Sequence, residues 1–193
     1  DVDGDGLDDI GLGADNSDDG ATDGGKAYVV FADSLDPTNP VFDLNNADYK
    51  LIGTVPDWHI SKIRGGDIDG DGLSDIVMSA PRNGSFYHIY SMRGYVVLGA
   101  SLSTSSSTIL LSDADYIFHP SHNVGIRGFD LGDADGDGLQ DIVFGQFLHG
   151  LYGEGSIGRS NLFLASSLPA LGPSISLSDA DHIFTGVTGQ GGV

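Results

Sequence analysis

Nine residues with the pattern DxDGDGLxD occur three times in one phase: DVDGDGLDD at residues 1–9, DIDGDGLSD at 67–75 and DADGDGLQD at 133–141, each 66 residues after the last. A fixed period of this length means one supersecondary unit built three times, with neighbouring units completing each other's core. Four carboxylates within nine residues repel one another, and crowding disfavours the ionised form unless a cation joins them. A hard cation suits the pattern. Calcium takes six to eight oxygens, and a loop with Asp at positions 1, 3 and 5, glycine at 6, a backbone carbonyl at 7 and a closing acid supplies them. The expected ligands are Asp1, Asp3, Asp5, Leu7 and Asp9; Asp67, Asp69, Asp71, Leu73 and Asp75; and Asp133, Asp135, Asp137, Leu139 and Asp141, with each Leu giving its carbonyl oxygen. An EF-hand would need Glu at position 12 and flanking helices. Position 12 is Leu12, Met78 or Phe144, and the residues that follow each loop, IGLGA, IVMSA and IVFGQ, are β-type runs.

The chain of 193 residues has 28 acids against 8 Lys+Arg, a net charge of −20. Phosphate backbones call for a basic face, so nucleic acid is not an expected partner. Thirteen of the acids lie in the three loops, which makes much of the acidity metal ligand rather than disordered tail. With no cysteine to staple the fold, three Ca²⁺ ions are the available cross-links. Weak calcium sites fill outside the cell rather than in the cytosol, and the expected location is extracellular or the cell surface. No apolar run reaches transmembrane length.

Three further segments recur with the loops. KAYVVFADSL (26–35) returns as GYVVLGASL and SNLFLASSL; LNNADYKLIG (44–53) as LSDADYIF and LSDADHIF; and HISKIRGG (59–66) precedes a loop as GIRGFDLG (125–132) does. Val, Ile, Leu and aromatics bounded by Gly, Asp and Ser read as short strands, and helical periodicity is absent. Asp48, Asp115 and Asp181 hold equivalent positions and read as turn-forming residues before a strand. Four antiparallel strands per unit is the pattern of a propeller blade, so the fold class is all-β. The units are residues 1–66, 67–132 and 133–193.

Carried on the DxDGDGxxD loops, the apolar strand after them and the corner Ser79-Ala80-Pro81, the unit resembles the FG-GAP repeat of integrin α-subunit propellers and bacterial secreted calcium proteins. Gly13-Ala14 keeps part of the corner and Gly145-Gln146 less, while Val124-Gly125 and Trp58-His59 stand where the naming Phe-Gly would be. The resemblance implies a calcium-binding segment of a larger, about seven-bladed propeller. Three periods less five residues fit such a segment, a six-bladed dimer, or a filament built through unpaired edges.

The loops between second and third strands, and those between fourth and first, share the face opposite the acidic loops, and they vary between repeats. A constant scaffold with variable loops is how binding sites are usually carried. Trp58, His59, Phe86, Tyr87, His119, His122 and Tyr152 are the candidate ligand face, for a protein or glycan ligand. GEGSIG (153–158) matches a dinucleotide pattern without a helix to follow it, and no nucleophile elbow, HExxH or cysteine nucleophile is present. The expected role is binding, adhesion or assembly without catalysis. The alternatives are an accessory propeller of a larger secreted hydrolase or phospholipase and a subunit of an extracellular fibre.

Overall fold

The computed structural model describes residues 1–60, 62–80, 93–102, 106–120, 124–148 and 158–186. Residues 1–66 contribute β1 (Ile10–Ala14), β2 (Lys26–Val30), β3 (Tyr49–Ile52) and β4 (Lys62–Gly66). Residues 67–132 contribute β5 (Asp75–Ala80), β6 (Arg93–Val97), β7 (Thr108–Leu110), β8 (Tyr116–His119) and β9 (Val124–Gly132). Residues 133–193 contribute β10 (Asp141–Leu148), β11 (Gly158–Phe163), β12 (Ser174–Ser176) and β13 (His182–Thr185), with one helical turn α1 at Leu168–Leu171. Among the described residues no helix is long and apolar enough to cross a membrane.

These strands make three sheets, ordered β1-β2-β3-β7, β4-β5-β6-β8-β12 and β9-β10-β11-β13. The molecule is all-β, and its sheets of four and five strands are propeller-like blades. Within each sheet the sequential strands run antiparallel, as the acidic loop between β4 and β5 demonstrates by reversing the chain from Gly66 to Asp75. The expected third segments are shorter as strands than as sequence matches. In each, a 3-10 turn such as Leu44–Asn46 or Leu177–Asp179 comes first and the strand follows.

Two strands, in two of the three sheets, are not legible in the repeat pattern. β7 pairs in parallel with β3, and β12 in parallel with β8. Each is a three-residue piece that leaves its own repeat to extend the outer edge of the preceding sheet. Exposed edge strands invite unwanted pairing, and this exchange covers two of them.

The core lies between sheets and follows from the two-residue alternation of strand side chains. On β5, Ile76, Met78 and Ala80 face the first blade, packing with Leu51, Ile60, Val97 and Leu111. Val77 and, from β6, Val96 face the third blade, packing with Ile126, Phe129, Ile142 and Phe163. All six residues of β5 are therefore buried. At the second interface Phe118 lies 4.8 Å from Phe144 and 5.0 Å from Phe163 between ring centres, in tilted and edge-on arrangements that suit aromatic quadrupoles. Gly94 on β6 lets this cluster close. A Cβ there would meet the Phe144 ring at 2.6 Å.

Candidate metal centres

Each acidic loop folds onto its own first carboxylate. In the first, Asp1 accepts hydrogen bonds from the backbone N–H of Gly4 and Gly6, Asp3 from Asp5, and Asp5 from Leu7, at 2.7–3.1 Å. The same four bonds recur in the second loop at 2.7–3.1 Å and in the third at 2.6–3.1 Å. The chain turns this tightly because position 6 is glycine: Gly6, Gly72 and Gly138 have φ of 90°, 88° and 93°, a conformation that a Cβ makes costly. Carboxylate oxygens of Asp1, Asp3 and Asp5 lie within 4.8 Å of one another, as do those of Asp67, Asp69 and Asp71. In the third loop the close trio is Asp133, Asp135 and Asp141.

The closing acid does more than sequence suggests. Asp9 accepts from Val2 N at 2.6 Å and from Ala32 N at 3.0 Å, using a different oxygen for each. Asp75 does the same with Ile68 N at 2.7 Å and Gly99 N at 2.8 Å, and Asp141 with Ala134 N at 2.7 Å and Ala165 N at 2.9 Å. One end of this side chain holds the loop, and the other holds the 3-10 turn after the third strand. Asp75 is wholly buried. Burial pushes its carboxyl up to about 6, with the nearby Asp69 charge adding to the effect and the two backbone donors opposing it. Among the described residues no cationic side chain pairs with Asp75, and a hard cation bound in the loop would favour its ionised form.

The same 3-10 turn is gripped from its other side. Asp48 accepts from Phe31 N at 2.8 Å and from Ser34 Oγ at 2.9 Å; Asp115 from Leu98 N and Ser101 Oγ, both at 2.8 Å; Asp181 from Leu164 N at 2.8 Å and Ser167 Oγ at 2.9 Å. These acids span 17 residues rather than forming local turns before a strand. The recurring serine, in ADS, GAS and ASS, is the signal that sequence reading passed over.

Successive loops are also joined. Ser74 N donates to the Asp1 carbonyl at 2.7 Å and Gln140 N to the Asp67 carbonyl at 2.8 Å. The Leu73 side chain packs over Gly4, and Leu139 over Gly70, so the residue expected to give its carbonyl also seats its loop on the one before.

At the opposite blade ends the candidate ligand face separates. Trp58 and His59 are buried, Trp58 within the core of the first interface beneath the Arg93 guanidinium, 4.5 Å from its ring centre. Both were expected on an open surface; packing between blades claims Trp58, and His59 is buried beside it. The loop that carries them is fixed by Asp57 N to Thr22 O at 3.0 Å and His59 N to Asp23 O at 3.2 Å. His119 is half-buried, and its Nε2 lies 2.9 Å from Ser174 Oγ, which ties β8 to β12. Burial lowers its pKa, and the Arg93 charge lowers it further. Phe86, Tyr87, His122 and Tyr152 lie outside the described residues, as does GEGSIG up to its last glycine.

A search of curated proteins finds none that matches the chain. Residues 61–102, which span β4, the second acidic loop, β5 and β6, match the family model of the FG-GAP repeat, so the chain carries an FG-GAP repeat within a propeller-like all-β fold.

Proposed function

We propose that the protein is a calcium-stabilised module of a larger, about seven-bladed propeller, acting outside the cell or at its surface in binding, adhesion or assembly rather than catalysis. The observation that carries the reading is the threefold recurrence of one acidic loop with one hydrogen-bond pattern. FG-GAP repeats are typical of extracellular and surface proteins, and residues 61–102 match that family. Bound calcium would be held by Asp1, Asp3, Asp5, Asp9 and the Leu7 carbonyl, and by the equivalent sets at Asp67–Asp75 and Asp133–Asp141. It would supply charge neutralisation and cross-linking of the turn. The chain's own residues do the rest: the glycines set the turn, Asp75 and its equivalents tie it to the third strand, and the loop-to-loop bonds pass order from one blade to the next.

Calcium counting by equilibrium dialysis tests this. Three ions per chain are expected, falling to two in the Asp135→Ala/Asp137→Ala variant; an unchanged count in that variant removes the assignment at the third loop. Self-association through blade edges is a second role, tested by mass in solution against concentration: a monomer at all concentrations excludes it.

A further inference from the structure

The two junctions between blades are built from the same parts. At the acidic end Leu73 packs over Gly4 and Leu139 over Gly70, while Ser74 N and Gln140 N donate to the carbonyls of Asp1 and Asp67. In the middle, position 12 counted from the start of the acidic loop is fully buried, as Met78 at the first junction and Phe144 at the second. At the outer edge a tripeptide crosses over. β7 pairs in parallel with β3 and β12 with β8, and the residue before each tripeptide, Ser107 or Pro173, accepts at 2.8 Å from Lys50 N or Ile117 N. The strand residue opposite the tripeptide's centre, Leu51 or Phe118, is fully buried.

Each of these parts recurs once more with its counterpart uncovered. On the first blade Leu7 is 53 % exposed and Leu12 39 %. There Pro40-Val41-Phe42-Asp43, which precedes Asp48 as residues 107–110 precede Asp115, pairs with no strand among the described residues. On the third blade a Cβ at Gly136, the equivalent of Gly4 and Gly70, would meet nothing within 4 Å. All four residues of β13 are exposed, and among the described residues only β11 pairs with it. Phe184 holds the place of Leu51 and Phe118 and is 57 % exposed. The projecting parts stand on the first blade and the receiving parts on the third, so the two surfaces fit each other and not themselves.

We propose that a second copy of this chain joins the first head to tail, the first blade of one molecule docking on the third blade of the other as the second blade docks on the first within the chain. A second copy is the occupant because one chain carries both halves of the junction, in the register that its two internal junctions define. Val41, Phe42 and Asp43 lie beside Ile183, Phe184 and Thr185, and the Pro40 carbonyl accepts from Ile183 N. At the acidic end Leu7 seats over Gly136, and Asp8 N donates to the Asp133 carbonyl. Main-chain bonds along an open strand edge give such a contact its affinity, and the apolar residues beneath give it register. A face that fits a different face makes a heterologous contact, which closes into a ring or runs on. This deepens the self-association role named above and rests on it, but not on the calcium reading.

The test is mass in solution against concentration for the full chain in millimolar calcium, as wild type, Leu12→Asp and Phe184→Asp. Both positions are exposed, so each new charge stands on the surface and not in the core. Wild-type mass should rise above that of the monomer, and either charge should raise the concentration required at least tenfold. Mixed in equal amounts, the two variants should associate where neither does alone, because one keeps its third-blade face and the other its first-blade face. The product should be a dimer and nothing larger. Ile183→Pro removes an N–H that the register turns outward from an edge strand, and it should weaken association as Phe184→Asp does. Wild type that stays monomeric at every concentration overturns this inference together with the self-association role. Association that neither charge weakens, or a mixture that stays monomeric, overturns the head-to-tail junction alone, and an unchanged Ile183→Pro profile overturns the strand exchange.

Discussion

The two ends of each blade obey different rules. At the acidic end the three loops repeat the same bonds atom for atom, down to the closing aspartate with one N–H on each oxygen. At the other end a cation recurs in three different settings: an ion pair for Lys26, an indole face for Arg93, and, for Arg159, a buried Nε–H without a hydrogen-bond partner among the described residues. Identical solutions point to one requirement imposed three times, and the requirement here is order in a crowded anionic turn. Divergent solutions on one scaffold position leave each blade free to take a separate task.

Substitutions can break this contrast. The largest loss is expected for Asp75→Ala, which strands the N–H groups of Ile68 and Gly99 in the interior and should cost about 2–4 kcal/mol in urea unfolding. Asp75→Asn, which keeps one acceptor for certain, should recover part of it. Asp115→Ala releases the same turn from its half-exposed side and should cost about 1–2 kcal/mol, since Leu98 N and Ser101 Oγ can turn to water. Leu73→Ala loosens the seat of one loop on the next and should cost about 1 kcal/mol. Its signature is a weaker calcium affinity at two loops rather than one. At the opposite end Arg93→Met should cost about 0.5–1 kcal/mol through the lost indole contact. Arg159→Met should cost less than about 0.5 kcal/mol, because it removes a half-buried cation whose Nε–H has no partner among the described residues. Equal losses for the two arginines would erase the distinction between their settings.

Much of the acidic end was legible in sequence because it is local. Nine residues carry the ligands, the glycine turn and the strand that follows, and their 66-residue phase fixed the blade unit. What sequence could not give is what spans the repeat. The Asp48–Ser34 and Asp9–Ala32 bonds close over 14 and 23 residues, and a carboxylate that reads as a turn former or a ligand reveals its second partner only in three dimensions. The parallel strands β7 and β12 were hidden for the same reason, since three residues such as TIL carry too little pattern to announce a partner in another blade. Trp58 and His59 looked like surface because they lie in a loop with Pro56 and Asp57. Both are buried, and Trp58 is so because the next blade closes over it. Gln146 was visible as a departure from the Gly-Ala corner, and that it stands opposite Arg159 shows only in the strand register.

The most direct measurement is thermal unfolding in millimolar calcium and then in excess chelator. Three sites held at ten to a hundred times their Kd each contribute roughly 1.4–2.7 kcal/mol, so the melting temperature should fall by about 10–30 °C when calcium is removed. A melting curve that does not move would contradict the claim that these carboxylates are structural calcium ligands.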